Sequence, residues 1–220
     1  MSTETDLAII ADYYFSKRKR FFDLGVSIVA FTLLFPLFFI ISVCILLTSG
    51  LPIFFTQPRT GKDHLPFKMI KFRTMYVNAH QDQKKFQKKN QAPFPTFKIH
   101  DDPRFVGIGK FLSKTGLDEL PQLINILRGE MSIVGPRPLP VEEAQNLPSH
   151  WQIRHKVRPG VISLWALSLQ RHKSLQSWWK LERETLQKGG VFFDFFICSL
   201  ASSVPLRMIP SKLKKHPIEQ

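Results

Sequence analysis

Between Leu24 and Leu47 the chain runs 24 residues without a charge, and Pro36 stands in the middle of the run. As a helix this stretch is about 36 Å long, enough to cross a hydrocarbon layer of about 30 Å. It starts late, it is long, and no small-residue cleavage site follows it, so it is not a secretory signal. Pro36 removes a backbone donor and frees the carbonyl of Thr32. Each half alone, at about 12 residues or 18 Å, is too short to span. Cations flank the run on both sides. Lys17, Arg18, Lys19 and Arg20 precede it, and Arg59, Lys62, Lys68, Lys71 and Arg73 follow. Basic flanks prefer the cytoplasmic side. A re-entrant helix that breaks at Pro36 and returns to the side it came from satisfies both flanks, and a kinked spanning helix, which membranes tolerate, is the other reading.

The rest of the chain fits one domain attached to that segment. With 31 Lys and Arg against 17 Asp and Glu, the net charge is +14. Such an excess attracts anionic headgroups, phosphorylated substrates or nucleic acid. Nucleic acid is not expected, because aromatic residues do not alternate with the basic ones as stacking platforms would. Cys44 and Cys198 both lie in apolar runs and read as small buried hydrophobes. The expected organisation is a tail over 1–16, a membrane helix over 17–50, a catalytic domain over 51–190, and an apolar helix with a basic tail over 191–220.

Residues 53–57 and 66–72 read as short strands around the turn Thr60-Gly61-Lys62-Asp63. Residues 77–97 are polar and lysine-rich and read as a solvated excursion. His100-Asp101-Asp102-Pro103 is a turn signature. Residues 119–128 read as a helix, Met131–Val134 as a strand, and 141–156 and 174–188 as helices. Residues 191–209 carry only Asp194 and Arg207 as charges and read as a core or interfacial helix, with Lys212, Lys214 and Lys215 after it. The expected fold class is therefore α/β and membrane-associated: interfacial helices around a small, irregular, strand-containing core.

The chemistry centres on Asp118-Glu119. With Thr115 three residues earlier and Pro121 in the first turn, Asp118 reads as the cap of the following helix. A helix N-terminus there would favour an ionised Asp118 and an anionic phosphate beside it. Such a carboxylate can attack phosphorus, and Glu119 could hold Mg²⁺. The plain alternative is a capping Asp with a solvated Glu. Lys71 and Arg73 alternate at strand spacing and would share a face, where two like charges call for an anion between them. Arg137, set between Pro136 and Pro138, offers a planar guanidinium to phosphate or to a structural carboxylate. No Walker-type loop, Gly-x-Ser-x-Gly elbow or metal-spaced histidine set is present.

Seven segments in order carry a family resemblance: Lys19-Arg20-Phe21-Phe22-Asp23, the Pro36-interrupted run, Phe54-Phe55-Thr56-Gln57-Pro58-Arg59-Thr60-Gly61, Lys71-Phe72-Arg73-Thr74-Met75, Asp102-Pro103-Arg104-Phe105, Leu117-Asp118-Glu119-Leu120-Pro121-Gln122-Leu123-Ile124-Asn125, and Gly129-Glu130-Met131-Ser132-Ile133-Val134-Gly135-Pro136-Arg137-Pro138. Over roughly residues 17–160 the chain resembles the bacterial sugar transferases that start glycan assembly, the small monotopic phosphoglycosyl transferases. The resemblance implies transfer of a sugar 1-phosphate from a nucleotide diphosphate sugar, usually a UDP-sugar, to polyprenyl phosphate, with Mg²⁺. It implies a re-entrant helix in the bacterial inner membrane and a catalytic domain on the cytoplasmic face, with a homodimer as a candidate assembly. Carried over, Asp118 is the nucleophile and Glu119 its partner, and both are expected at the metal. Lys71, Arg73, Arg104, Lys114, Gln122 and Arg137 make up the expected site for substrate phosphate or nucleotide. The chain departs from the family at Ser113, where arginine is usual and where Lys114 stands next in line to supply the charge, at Gly116, and over Val161–Leu167. The competing class is a non-catalytic basic membrane protein that binds anionic lipid or a partner.

Overall fold

The long apolar run folds as one helix, α1 (Lys17–Ser49), in the computed structural model, which describes residues 9–93, 95–99, 101–168 and 174–203. Ser16 caps its start by accepting the Lys19 N–H, and Gly50, at φ 71°, ends it. The helix continues through Pro36, so the expected break there is not an unwound turn. One missing N–H removes a single rung, and the apolar turns on either side keep their own ladder. Its 33 residues extend about 50 Å.

One face of α1 packs on the domain along the whole length. Phe22, Val26, Ala30, Leu34, Phe38, Ile41 and Ile45, spaced three or four apart, join the main core. Leu33, Phe35, Phe39, Ile40 and Leu47 on other faces are exposed. Both ends are tied to the same body. The Arg20 guanidinium donates to the carbonyls of Ile126 (2.6 Å) and Leu127 (3.0 Å). Asp23 accepts from the Ser132 hydroxyl and the Ile133 N–H.

The chain then forms β1 (Phe54–Thr60) and β2 (Pro66–Phe72), an antiparallel hairpin in register from Phe54↔Phe72 to Thr60↔Pro66. The polar excursion is not featureless: Gln81–Lys89 winds into 3-10 turns, fixed in part by the Tyr76 hydroxyl on Asp82 (2.6 Å). After α2 (Gly109–Thr115), the expected helix over 119–128 is split. Leu117–Glu119 make a 3-10 turn, and α3 (Gln122–Leu127) begins only after Pro121. Gly116 in the left-handed region ends α2, and Pro121 cannot donate to Leu117, so the ladder starts afresh. Asp118 therefore sits in a turn and does not cap an α-helix.

Strand β3 (Ser132–Val134) pairs in parallel with β5 (Gly160–Ile162), and β4 (Leu139–Pro140) adds to the free edge of β1. Gly135 and Gly160 press backbone to backbone and leave no room for a Cβ, which brings the segment after β3 against the entry to β5. The predicted helix over 141–156 is α4 (Val141–Gln145) followed by a 3-10 stretch over Ser149–Lys156. Beyond β5 come α5 (Leu164–Leu167), α6 (Leu175–Gln187) and α7 (Val191–Ser203). Trp151, Trp165 and Trp178 make a second core with Leu139 and Leu147. Asp194 on α7 is buried against Lys19 (2.6 Å), which also pairs with Asp23 (3.0 Å), so a charged cluster fastens α7 to the start of α1. Arg207 and the basic tail lie outside the described residues.

Candidate active site

A cavity of about 860 Å³ opens between the β1–β2 hairpin, the Leu117–Glu119 turn and the segment after β3. Asp118 and Glu119 both line it. Lys71 reaches them from β2, 2.9 Å from Glu119 Oε1 and 3.6 Å from Asp118 Oδ2. Asp118 is only 5% exposed. Asp118 is thus a nearly buried carboxylate at the wall of a cavity, with an ammonium beside it. The positive charge beside Asp118 comes from the Lys71 side chain and not from a helix terminus, because the six-residue α3 begins only at Gln122.

Arg137 lines the same cavity. Its backbone N–H donates to Glu182 Oε1 (3.0 Å), and its guanidinium lies 5.2 Å from the centre of the Trp165 ring. Among the described residues no carboxylate lies within ion-pair distance of it. The structural salt bridge that was the alternative for Arg137 belongs instead to Arg154, whose Nη2 is 2.8 Å from Glu182.

The other four expected phosphate or nucleotide residues have protein partners or lie off the cavity: Arg73 and Arg104 line it, Lys114 and Gln122 do not. Arg73 follows the end of β2, and its guanidinium is taken up by the carbonyls of Ser49 (2.7 Å), Gly50 (2.6 Å) and Pro52 (2.6 Å). It closes the C-terminal end of α1, where a cation meets the unpaired carbonyls. Arg104 makes a buried fork with Asp102, at 2.8 and 2.6 Å, and donates to Ala79 O. Burial works against the Asp102 charge, yet that fork holds its carboxyl below the usual range. Lys114 is 44% exposed, lies 3.9 Å from Asp101 and is not in the cavity wall, whereas Ser113 is. Gln122 is buried within α3 and is not part of the cavity wall.

Two cavity residues outside the expected set matter. Arg59 and Glu143 both line the wall beside Arg137. Burial, reinforced by the neighbouring Arg137 charge, lowers the Arg59 guanidinium to about 10. Burial pushes the Glu143 carboxyl up, against the pull of both arginines. The signal for Arg59 is in the sequence: Phe55, Gln57 and Arg59 alternate along β1, and the pairing Phe55↔Lys71 places that row on the face that carries Lys71.

The donor set fits a divalent ion only in part. Among the described residues no cluster of three His, Cys, Asp or Glu side chains could cage a metal. Two adjacent carboxylates can still hold Mg²⁺ when substrate phosphates and water complete its octahedron.

Residues 14–207 match the model of the family described as bacterial sugar transferase. The chain belongs to that family. Among the curated bacterial sugar transferases and relatives it resembles, the exopolysaccharide production protein ExoY of Sinorhizobium fredii is 37% identical over 183 residues, 81% of each chain. The galactosyl transferase CpsE of Streptococcus agalactiae is 35% identical over 86% of this chain and 42% of its own. The UDP-glucose:undecaprenyl-phosphate glucose-1-phosphate transferase of Escherichia coli is 34% identical over 83% of this chain and 39% of its own. This sugar transferase thus spans about four fifths of the ExoY relative and about two fifths of the two longer ones.

Proposed function

We propose that the protein moves a sugar 1-phosphate from a UDP-sugar to undecaprenyl phosphate, in two steps through Asp118, on the cytoplasmic face of the bacterial inner membrane. The observation that carries this reading is the make-up of one cavity. Asp118, Glu119 and Lys71 stand in the same cavity as Val26, Ala30 and Leu34 of the apolar α1. A carboxylate pair with its ammonium and the packed face of the apolar α1 thus share one space, which supports an acceptor that brings both a phosphate and an apolar chain. The names of the Escherichia coli and Klebsiella pneumoniae relatives specify this donor and acceptor.

In the first step an oxygen of the Asp118 carboxylate attacks the sugar-linked phosphorus. A P–O bond forms, the bridging P–O bond to the other phosphate breaks, and UMP leaves with that electron pair. In the second step a phosphate oxygen of the lipid attacks the same phosphorus and expels the Asp118 carboxylate, which regenerates the enzyme. One site then serves a soluble donor and a membrane acceptor in turn. Lys71 offsets the negative charge that gathers as carboxylate and phosphate approach, and Arg137 brings a second cation to the same cavity for the donor diphosphate. Glu119, with Asp118, would hold Mg²⁺, which supplies Lewis-acid stabilisation of phosphate oxygens.

Chelation with EDTA is expected to stop UMP release and added Mg²⁺ to restore it. Glu119→Gln keeps the shape of the side chain and removes its charge. It should lower turnover by about two to three orders of magnitude, the usual effect of deleting one preorganised electrostatic group. Steady-state UMP release in detergent, with a panel of UDP-sugars and undecaprenyl phosphate, measures both. Full activity of Glu119→Gln would remove Glu119 from the site.

For topology, the support lies in how α1 is fastened. Arg20 near its start and Ser49 at its end both bond to the catalytic domain, and the packed face between them is continuous. A helix crossing the bilayer would carry its far end away from that domain. We therefore place both ends of α1 on the cytoplasmic side, with its exposed apolar faces in the lipid. Single cysteines introduced near residue 10 and near residue 85 should both resist an impermeant thiol reagent in intact cells. Labelling at one of the two sites alone would establish a spanning helix.

A further inference from the structure

Arg59 takes no part in the two steps above, yet it is built into the same wall. Its Nη2 donates to Gln57 Oε1 (2.7 Å) and its Nη1 to Pro138 O (3.2 Å), both uncharged acceptors. Its Nε is buried with no hydrogen-bond partner. The pairing Arg59↔Pro140 between β1 and β4 and the Arg59 bond to Pro138 O hold this strand against the Pro136-Arg137-Pro138 segment, and both guanidiniums line one cavity, close enough for the Arg137 charge to act on Arg59. Like charges repel, and a protein that positions two of them beside one cavity needs an anion to relieve the repulsion. The carboxylates within electrostatic reach of Arg59 are Glu143 and, more weakly, Glu119. Burial disfavours the charge of Glu143, and Glu119 is engaged by Lys71. Lys71 and the Asp118–Glu119 pair mark one phosphate position. Arg59 and Arg137 mark a second, and a nucleoside diphosphate sugar carries two phosphates.

We infer that Arg59 and Arg137 form a two-guanidinium clamp for the nucleotide phosphate of the donor, the group that departs as UMP. The inference rests on the reading of the preceding section. Arg59 binds substrate there, with Arg137 held in place by Trp165 and Glu182. The clamp grips the leaving phosphate and leaves the acceptor lipid untouched.

The test is calorimetric binding to the full chain in detergent, with UMP, uridine and inorganic pyrophosphate as separate probes. Arg59→Gln should weaken UMP by about tenfold to a hundredfold, the range for losing a charge-assisted hydrogen bond. It should leave uridine binding unchanged, and in turnover it should raise the donor KM while the KM for undecaprenyl phosphate stays within about twofold of the wild-type value. Arg59→Lys, which keeps the charge and loses the fork, should fall between the two. Equal UMP affinity in Arg59→Gln and the wild type would overturn the clamp. So would a parallel loss of uridine, which would mean that the variant has merely disturbed the wall. If the wild type binds pyrophosphate in an Arg59-dependent way but ignores UMP, the nucleotide-sugar reading fails and the clamp for a nucleotide phosphate fails with it, leaving Arg59 as a site for phosphate alone. If neither probe depends on Arg59, the clamp itself fails.

Discussion

Asp118→Asn is expected to lower turnover by about four to six orders of magnitude, the scale seen when a covalent nucleophile is removed. The amide is nearly the same shape, but it has no anionic oxygen to attack phosphorus. The fold should hardly notice. Lys71 keeps its shorter contact, at 2.9 Å, with Glu119, and Asp118 is engaged more distantly, at 3.6 Å. The thermal midpoint in detergent and the rate of UMP release, measured on the same preparation, separate the two effects. A variant that folds normally and turns over within tenfold of the wild type would exclude Asp118 as the nucleophile.

Glu182→Ala is expected to cost about 3–5 kcal/mol of stability, the range for breaking a buried ion pair. Glu182 on α6 is fully buried. It accepts from Arg154 Nε (2.9 Å) and Nη2 (2.8 Å), and from the backbone N–H of Arg137 (3.0 Å). Truncation leaves the Arg154 charge in the interior facing no carboxylate. For a chain of this size that corresponds to a fall of roughly 6–20 °C in the thermal midpoint. The site should also suffer, because Arg154 Nη2 and Glu182 together hold the backbone of Arg137 on both its N–H and its carbonyl. Donor KM should therefore rise even at temperatures where the variant is folded. Glu182→Gln retains the shape and an acceptor and should be the milder change. A midpoint within about 2 °C of the wild type for Glu182→Ala would show that Arg154 finds other compensation.

What the sequence made legible follows from local chemistry. The hairpin over β1 and β2 follows from alternation around a Gly-containing turn. Arg137 is fixed by the prolines on either side, and Asp118 and Glu119 reach the cavity because Gly116 and Pro121 bracket their turn. What remained hidden depends on partners distant in sequence. Arg73 and Arg104 stand in motifs that look phosphate-seeking. Whether such an arginine meets a phosphate, a carboxylate or backbone carbonyls is decided by tertiary contacts, here the end of α1 for Arg73 and Asp102 for Arg104. The packed stripe of α1 was invisible for a different reason. Nearly every residue from Leu24 to Leu47 is apolar, so the packed and the exposed faces show no contrast in hydrophobicity. Arg59 required the β1–β2 register, because alternation alone gives a face without saying what lies across from it.

A covalent intermediate at Asp118 can be measured without the lipid. Purified wild-type protein, incubated with each member of a UDP-sugar panel and no acceptor, is followed by intact mass and by UMP released per enzyme. With the accepted donor, a burst of up to one UMP per enzyme is expected, with a mass increase of one sugar phosphate located on the peptide that contains Asp118. The same species should vanish on addition of undecaprenyl phosphate. No UMP and no adduct until the lipid is present would mean direct transfer from donor to acceptor. An adduct on Glu119 would reverse the roles within the pair.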